Sequence, residues 1–214
     1  NRAPAKVQAA LLEAMAERQI TIGRKTYALP ALYLVMATQN PIEQEGTYPL
    51  PEAMLDRFLM YVKMGYPSAN VEQQIMQLVR AEAHAADEPQ ASPFQVTPAE
   101  IFEARQEVLD VHLSPMLETY IVQLVVATRE AQRYGQDLAR WIRFGASPRA
   151  SIGIDRCARA HAWLQGRDYV SPEDILAIAP DILRHRVLLS FNAQAEGLQA
   201  DDVITQLLAC VAVP

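Results

Sequence analysis

The sequence contains little cysteine and no long apolar run. Cys157 and Cys210 are the two cysteines among 214 residues, they lie far apart in the chain, and neither belongs to a CxxC motif. A disulfide framework and a Cys-based metal site are therefore excluded, and the prediction is two buried thiols in a reducing compartment. No apolar stretch approaches the roughly 20 residues that a transmembrane helix needs, so the sequence predicts no membrane span.

Several motifs of catalytic chemistry are also missing. None of the eight glycines is followed by lysine, so the sequence has no GxxxxGK[ST] loop, and no apolar strand ends in Asp-Glu. The backbone cradle for phosphates and the carboxylates that hold magnesium are therefore absent from these 214 residues. The histidines at 84, 112, 161 and 185 have no zinc-site spacing, and no Ser-His-Asp or Cys-His arrangement is supported.

Lysine is scarce, and the charge balance is acidic. Of the 19 basic residues only Lys6, Lys25 and Lys63 are lysines, and the others are arginines that can contact phosphate or carboxylate through two donors. The net charge of −6 and the pI of about 5.3 do not favour a nucleic-acid partner or a membrane surface. Half of the residues are apolar and 21% are charged, which is typical of a folded soluble protein.

The front of the chain has the pattern of an α/β structure. Apolar residues at helical spacing predict a helix over 4–18, and alternating apolar residues predict a hairpin over 19–30 with its turn at Gly23-Arg24-Lys25. The apolar run at 31–40 predicts a buried strand of a mostly parallel sheet, and a weaker strand is predicted near 58–62. The sequence begins with Asn and has too few strands to close a sheet core, so we expect a piece of a longer protein.

After Pro67 the pattern is helical. A Pro-rich polar stretch at 86–93 predicts a linker, and Thr97 and Ser171 are predicted N-caps because each is followed by proline at the first helical position and an acidic residue in the first turn. The predicted helices cover residues 70–83, 98–111, 115–133, 148–165, 172–186 and 199–212.

Asn40 is the first candidate functional residue. It ends the predicted strand at 31–40, and the carboxyl ends of such strands face the crevice where open α/β sheets bind ligands. Its amide can donate to a phosphate oxygen or hold a water for in-line attack. The alternative is that Asn40 braces its own turn before Pro41, which is a common use of asparagine.

Arg57 is the second candidate. It follows a short helix pattern at 51–55, and an arginine supplied to a transferring phosphoryl group can contribute roughly 10³ to 10⁵ in rate. The alternative is a surface salt bridge to Asp56 or Glu52, which contributes about 0 to 1 kcal/mol.

Arg149 is the third candidate, in the first turn of the helix that Pro148 begins. A cation is unfavourable at this end of a helix, which already carries partial positive charge. Arg149 therefore indicates an anionic partner nearby, such as a nucleotide phosphate, or else it reaches away from the helix end.

These motifs, in this order, resemble the MoxR family of AAA+ ATPases. The segment "NRAPAKVQAALLEAMAERQITIGRKTYALP" is similar to the stretch after that family's Walker B pair, and "ATQNP" is similar to its sensor 1, with Asn40 in the sensor position. "EGTYPLPEAMLDRF" resembles the arginine-finger segment with Arg57 as the finger, and "GASPRASI" resembles sensor 2 with Arg149 as its arginine. "YVSPEDILAIAPDILRHRVLLS" is similar to the closing lid segment, so the resemblance covers nearly the whole chain.

The resemblance implies an α/β part followed by an all-α lid, mostly helical overall. Residues 1–66 would be the C-terminal part of an AAA+ core with a β-hairpin insert, 67–98 a connecting helix and linker, and 99–214 the helical lid domain. Four arginines of the helical part are candidates for salt bridges between lid and core: Arg156, Arg159, Arg184 and Arg186.

It also implies a cytoplasmic ATPase that assembles as a ring, expected to be a hexamer, with ATP and Mg²⁺ bound between subunits mainly through motifs upstream of this chain. Asn40, Arg57 and Arg149 would be catalytic, and whether Arg149 serves its own subunit or the neighbour stays open. Members are chaperone-like, act in metal insertion or complex maturation, and have partners with von Willebrand factor A domains. The hairpin at 19–30 resembles an insert that faces the ring pore or a substrate. The 214 residues alone are expected neither to bind ATP tightly nor to hydrolyse it.

Two other readings compete with this one. The chain could be a non-catalytic helical adaptor or regulatory module, in which the apolar helices are partner-binding surfaces. A DNA-remodelling AAA+ relative is disfavoured by the acidic charge, although Arg24 and Lys25 at the hairpin tip are basic.

Overall fold

The computed structural model describes residues 5–40, 50–84 and 94–214. The chain divides into two compact units, one of residues 1–61 and 106–214 and the other of residues 62–105, and each is described by itself. The mostly helical architecture with few short strands confirms the fold class predicted from the sequence.

The first unit begins with a helix and a hairpin. Helix α1 (Ala5–Glu17) leads into strands β1 (Gln19–Ile22) and β2 (Lys25–Ala28), which pair antiparallel. The turn is one residue shorter than predicted, because Lys25 already pairs with Ile22, and the left-handed φ of 65° at Gly23 permits this two-residue connection.

The predicted strands at 31–40 and 58–62 are not formed, and both predictions are wrong. A strand exists only where a neighbouring strand supplies hydrogen-bond partners, and among the described residues neither segment has one. Residues 33–40 run as irregular chain, and the amide of Tyr61 donates instead to the carbonyl of Asp181, 2.8 Å away. Residues 41–49, with Pro41 and most of the loop before Arg57, lie outside the described residues.

A helical bundle makes up the rest of the first unit. Helix α2 (Glu52–Leu55) follows Pro51, as predicted, and the end of α4 (Pro98–Asp110) leads into the bundle. The bundle elements are α5 (Pro115–Arg129), a 3₁₀ turn (Ala131–Arg133), α6 (Gln136–Trp141), β3 (Ile142–Phe144), α7 (Pro148–Leu164), α8 (Pro172–Leu183), β4 (Leu188–Leu189), α9 (Phe191–Ala195) and α10 (Ala200–Cys210). Strand β3 pairs antiparallel with β4, and neither strand, nor α6, nor α9 was predicted.

The core lies where α5, α7, α8 and α10 meet. Each of these helices turns one apolar stripe inward, and the innermost side chains include Leu124, Ile154, Ile175, Ile182, Leu183, Ile204 and Leu207. Cys157 of α7 is buried there, whereas Cys210 is exposed. The prediction of two buried thiols is therefore wrong for Cys210, which ends α10 and points away from the core stripe.

The second unit holds α3 (Ala69–His84) and the first part of α4. Thr97 caps α4 as predicted, because its hydroxyl oxygen accepts from the amide of Glu100 at 3.3 Å while its own amide donates to the Glu100 carboxylate at 2.6 Å. The predicted linker at 86–93 lies outside the described residues. In the part of the chain that the structure describes, none of the helices has the length and hydropathy needed to cross a bilayer.

Candidate functional site

Two of the three candidate residues are brought together in the first unit. Arg57 follows α2 and comes directly after Asp56 in sequence, and Arg149, the second residue of α7, pairs with the Asp56 carboxylate. Asn40 is exposed at the end of the described segment 5–40. The residue before it, Gln39, accepts a hydrogen bond of 3.3 Å from the hydroxyl of Tyr61, which ties this segment to the chain that follows Arg57.

Asp56 is the centre of the site. Its two carboxylate oxygens each lie 2.9 Å from the hydroxyl of Ser147, Oδ2 lies 3.1 Å from Nη1 of Arg149, and Oδ1 lies 3.1 Å from Nε of Arg186. Partial burial opposes ionisation, but the hydrogen bonds from Ser147 and Arg149 and the charge of Arg186 hold the pKa of Asp56 below its usual value. The carboxylate is therefore ionised at neutral pH and joins α2 to α7.

The start of α7 fixes the backbone of Arg149. Ser147 is the N-cap and accepts from the amide of Arg149 at 3.3 Å, and Pro148 occupies the first helical position, as predicted. The Arg149 side chain is 51% exposed. The anion that the sequence indicates beside this helix end is, in this structure, the carboxylate of Asp56.

The guanidinium of Arg57 has no carboxylate partner among the described residues. Its Nη1 donates to the backbone carbonyl of Ala53 at 2.7 Å, and its Nε is buried without a described acceptor. The predicted alternative, a salt bridge to Asp56 or Glu52, does not form, and the Asp56 carboxylate is engaged by Arg149 and Arg186 instead. Arg57 therefore keeps both its charge and a donor for another partner.

Arg186 is a functional candidate that the sequence did not distinguish from the other three arginines predicted to form salt bridges. It lies in the turn after α8, its side chain is 3% exposed, and it is 130 positions from Asp56. Besides the carboxylate, it donates to the backbone carbonyls of Asp56 (3.1 Å), Phe58 (2.5 Å) and Leu59 (3.3 Å), and to that of Ile182. The one available signal was an arginine in a strongly apolar helix end, which suggests a buried partner of opposite charge.

Two neighbours of Arg186 hold the same stretch of chain. Arg184 donates to the carbonyl of Tyr61 and pairs with the carboxylates of Asp181 and Asp201, and His185 lies 3.1 Å from the carbonyl of Phe58. Burial and the nearby cations lower the pKa of His185 to about 4, so its ring is neutral at pH 7. Of the four arginines predicted to form salt bridges to the front of the chain, Arg186 does so with Asp56, and Arg184 reaches it through a backbone carbonyl. Arg159 pairs within its own helix instead, with Asp155.

Comparison with known families defines the class of this chain. Residues 1–60 match the ATPase family associated with various cellular activities (AAA), and residues 137–207 match the AAA lid domain. The first match contains Asp56 and Arg57, and the second contains Arg149 and Arg186, so the site described above joins AAA ATPase sequence to AAA lid sequence.

Individual relatives narrow this class. The chaperone MoxR1 of Mycobacterium tuberculosis is 45% identical over 215 residues, covering 100% of this chain and 55% of that protein. The protein MoxR of Paracoccus denitrificans is 35% identical over 235 residues, covering 100% of this chain and 65% of that protein. A crystal structure of a protein assigned as an ATPase from Cytophaga hutchinsonii superposes with a TM-score of 0.90 at 45% identity, covering 100% of this chain and 64% of that one. The chain belongs to the MoxR family of AAA+ ATPases, and it spans less than two thirds of the length of these relatives.

Proposed function

We propose that the intact protein is a ring-forming AAA+ ATPase in which Asn40, Arg57 and Arg149 act on bound ATP. The observation that carries this proposal is the arrangement around Asp56, where Arg57 keeps a cation without a described carboxylate partner and Arg149 is half exposed. Guanidinium groups with unused donors fit the oxygens of a triphosphate, which they bind through paired hydrogen bonds.

Arg57 and Arg149 serve the same nucleotide in this proposal. The 3.1 Å contact between Arg149 and Asp56 supports it, because Asp56 is the residue directly before Arg57. The resemblance of Arg57 to an arginine finger makes that nucleotide the one bound by the neighbouring subunit. Hydrolysis then depends on assembly, since each subunit completes the site of the next.

Each of the three residues has one role in the proposed reaction. Asn40 orients the attacking water, and Arg57 and Arg149 hold the phosphate oxygens and offset the charge that develops on them. Mg²⁺ supplies further charge neutralisation when ATP is bound, through ligands that the 214 residues do not contain. By themselves these residues have no phosphate-binding loop, so we expect no ATP turnover from them alone.

The work driven by ATP is proposed to be chaperone-like remodelling of a client protein, including metal insertion, in the cytoplasm and with a von Willebrand factor A domain partner. This part rests on the family resemblance. One feature of the structure agrees with a client-facing role for the hairpin: Ile22 and Tyr27 are exposed beside its turn, and the Lys25 ammonium lies 5.0 Å from the centre of the Tyr27 ring.

The test is Arg57→Ala in the full-length protein, measured by ATP turnover and by nucleotide binding. We expect turnover to fall about 10³-fold while ATP binding stays nearly intact, because a finger acts on the transition state. Arg133→Ala, which removes an exposed arginine paired with Glu130, is the control and should leave both unchanged. Unchanged turnover in Arg57→Ala would favour the non-catalytic adaptor, and equal loss of binding and turnover would make Arg57 structural.

A further inference from the structure

Arg186 makes more contacts to the chain around Arg57 than any other side chain described above. Its five N–H groups are distributed over the carboxylate of Asp56 and four backbone carbonyls, three of which belong to Asp56, Phe58 and Leu59. The carbonyl of Asp56 belongs to the peptide bond directly before Arg57, and the carbonyl of Phe58 belongs to the second peptide bond after it. A single buried guanidinium therefore fixes the backbone both before and after this residue.

The side chain of Arg57 is itself loosely held. Apart from the bond from Nη1 to the carbonyl of Ala53, its donors have no described acceptor, and its Nε is buried without one. The position of the Arg57 guanidinium therefore depends on the backbone more than on side-chain contacts. Arg186 holds that backbone.

We propose that Arg186, in the turn after α8, is a positioning residue for Arg57. It fixes the backbone from which the Arg57 side chain extends. The inference rests on the proposed function, in which Arg57 acts on a nucleotide. It adds a physical link between the lid and the core, because α8 belongs to the AAA lid sequence and Arg57 to the AAA ATPase sequence. A shift of this turn relative to α2 moves the backbone before and after Arg57.

Lysine cannot replace Arg186 in this role. An ammonium keeps the charge opposite Asp56, but its three donors lie on one atom. It cannot serve the five acceptors that Nε, Nη1 and Nη2 of Arg186 divide among them. Arg186→Lys therefore separates the charge from the geometry. Arg186→Gln is a second variant, which removes the charge and keeps an amide with two donors.

Arg184 provides a matched control two residues away. It is also partly buried, is also paired with carboxylates, and also donates to a carbonyl of the same segment. Its acceptor on this segment is Tyr61, four residues after Arg57, so it holds the same chain without flanking the finger. A purely structural role would make the lysine variants at 184 and 186 behave alike.

The experiment uses the full-length protein with Arg186→Lys and Arg184→Lys, and compares kcat, the Kd for ATP and Tm. We expect kcat to fall about 10- to 100-fold in Arg186→Lys, because a displacement of about 1 Å can cost that much, with the Kd within about twofold of wild type. Arg184→Lys should lower Tm by about as much as Arg186→Lys does, but it should leave kcat within about twofold of wild type. All assays are run below the lower of the two Tm values, so that unfolding does not contribute. Arg186→Gln should also lower kcat and leave the Kd for ATP nearly unchanged.

A double variant shows whether Arg186 acts through Arg57. In an Arg57→Ala background, Arg186→Lys should lower kcat no further, since the group it positions is gone. Two outcomes would overturn this inference and leave the proposed function standing. One is a further fall of kcat by about 10- to 100-fold in the double variant, and the other is equal kcat for Arg186→Lys and Arg184→Lys. Unchanged turnover in Arg57→Ala by itself would overturn the proposed function and this inference with it.

Discussion

Replacing Asp174 by asparagine is expected to destabilise the helical bundle strongly. The side chain is 1% exposed, and its oxygens lie 2.7 Å from Nη1 of Arg167, 2.7 Å from Nδ1 of His161 and 2.7 Å from the amide of Ser171. These contacts join the end of α7 to the start of α8 and close the capping box that begins at Ser171. Asparagine keeps the volume of the side chain and loses the charge that faces Arg167.

The magnitude follows from how far each partner is buried. Removing one partner of a buried ion pair typically costs about 3 to 5 kcal/mol. The Arg167 side chain is 27% exposed, so water can solvate its charge after the substitution. We therefore expect a loss of about 2 to 3 kcal/mol in the free energy of unfolding, which for a domain of this size lowers Tm by about 4 to 12 °C.

Thermal and urea unfolding measure this loss, with the exposed Asp168→Asn in the preceding loop as the control. Burial opposes ionisation of Asp174, but the hydrogen bonds from Arg167 and Ser171 hold its pKa well below the usual range. The contribution of a carboxylate with a depressed pKa is complete above its unfolded pKa of about 4 and is lost as pH falls further. The difference between wild type and Asp174→Asn should therefore shrink below about pH 4. A Tm within about 1 °C of wild type at pH 7 would refute the reasoning.

Two further predictions test the packing. Gly145→Ala should lower the free energy of unfolding by about 1 to 3 kcal/mol in urea, because a Cβ there would lie 2.4 Å from the carbonyl oxygen of Thr128, whereas Gly65→Ala, with no atom within 4 Å, should change little. Ellman's reagent should modify the exposed Cys210 in the native protein and reach Cys157 only on unfolding, because burial raises the pKa of the Cys157 thiol to about 11; equal labelling rates would contradict this.

The features that were predicted correctly depend on neighbours in sequence. The capping residues Thr97 and Ser171 and the proline at the start of α7 each act within one helical turn, so their residue types and spacing suffice. The short elements α6, α9 and β4 show no hydrophobic period in the sequence, and none of these three was predicted.

The apolar run at 31–40 was wrongly predicted to be a buried strand, because an apolar composition fixes neither pairing nor burial: Leu34 and Met36 are 81% and 80% exposed. Its strand would need neighbouring strands, which the described residues do not provide, so tertiary context decided against the local pattern. The contact between Asp56 and Arg186 was not predicted, because it leaves no local pattern in the sequence. It joins residues 130 positions apart, and nothing in either local sequence names the other as its partner.

The charges gathered around Asp56 supply a last argument for an anionic ligand. Arg57, Arg149 and Arg186 contribute three positive charges, while Asp56 and the nearby Glu52 of α2 contribute two negative ones among the described residues. The balance is therefore positive in a chain whose net charge is −6. Because Arg186 is committed to Asp56 and to backbone carbonyls, the excess rests on Arg57 and Arg149. The Nε of Arg57 has no described acceptor, and the side chain of Arg149 is 51% exposed. A phosphate would balance this charge without displacing the buried pair, since Asp56 keeps its contacts with Ser147 and Arg186.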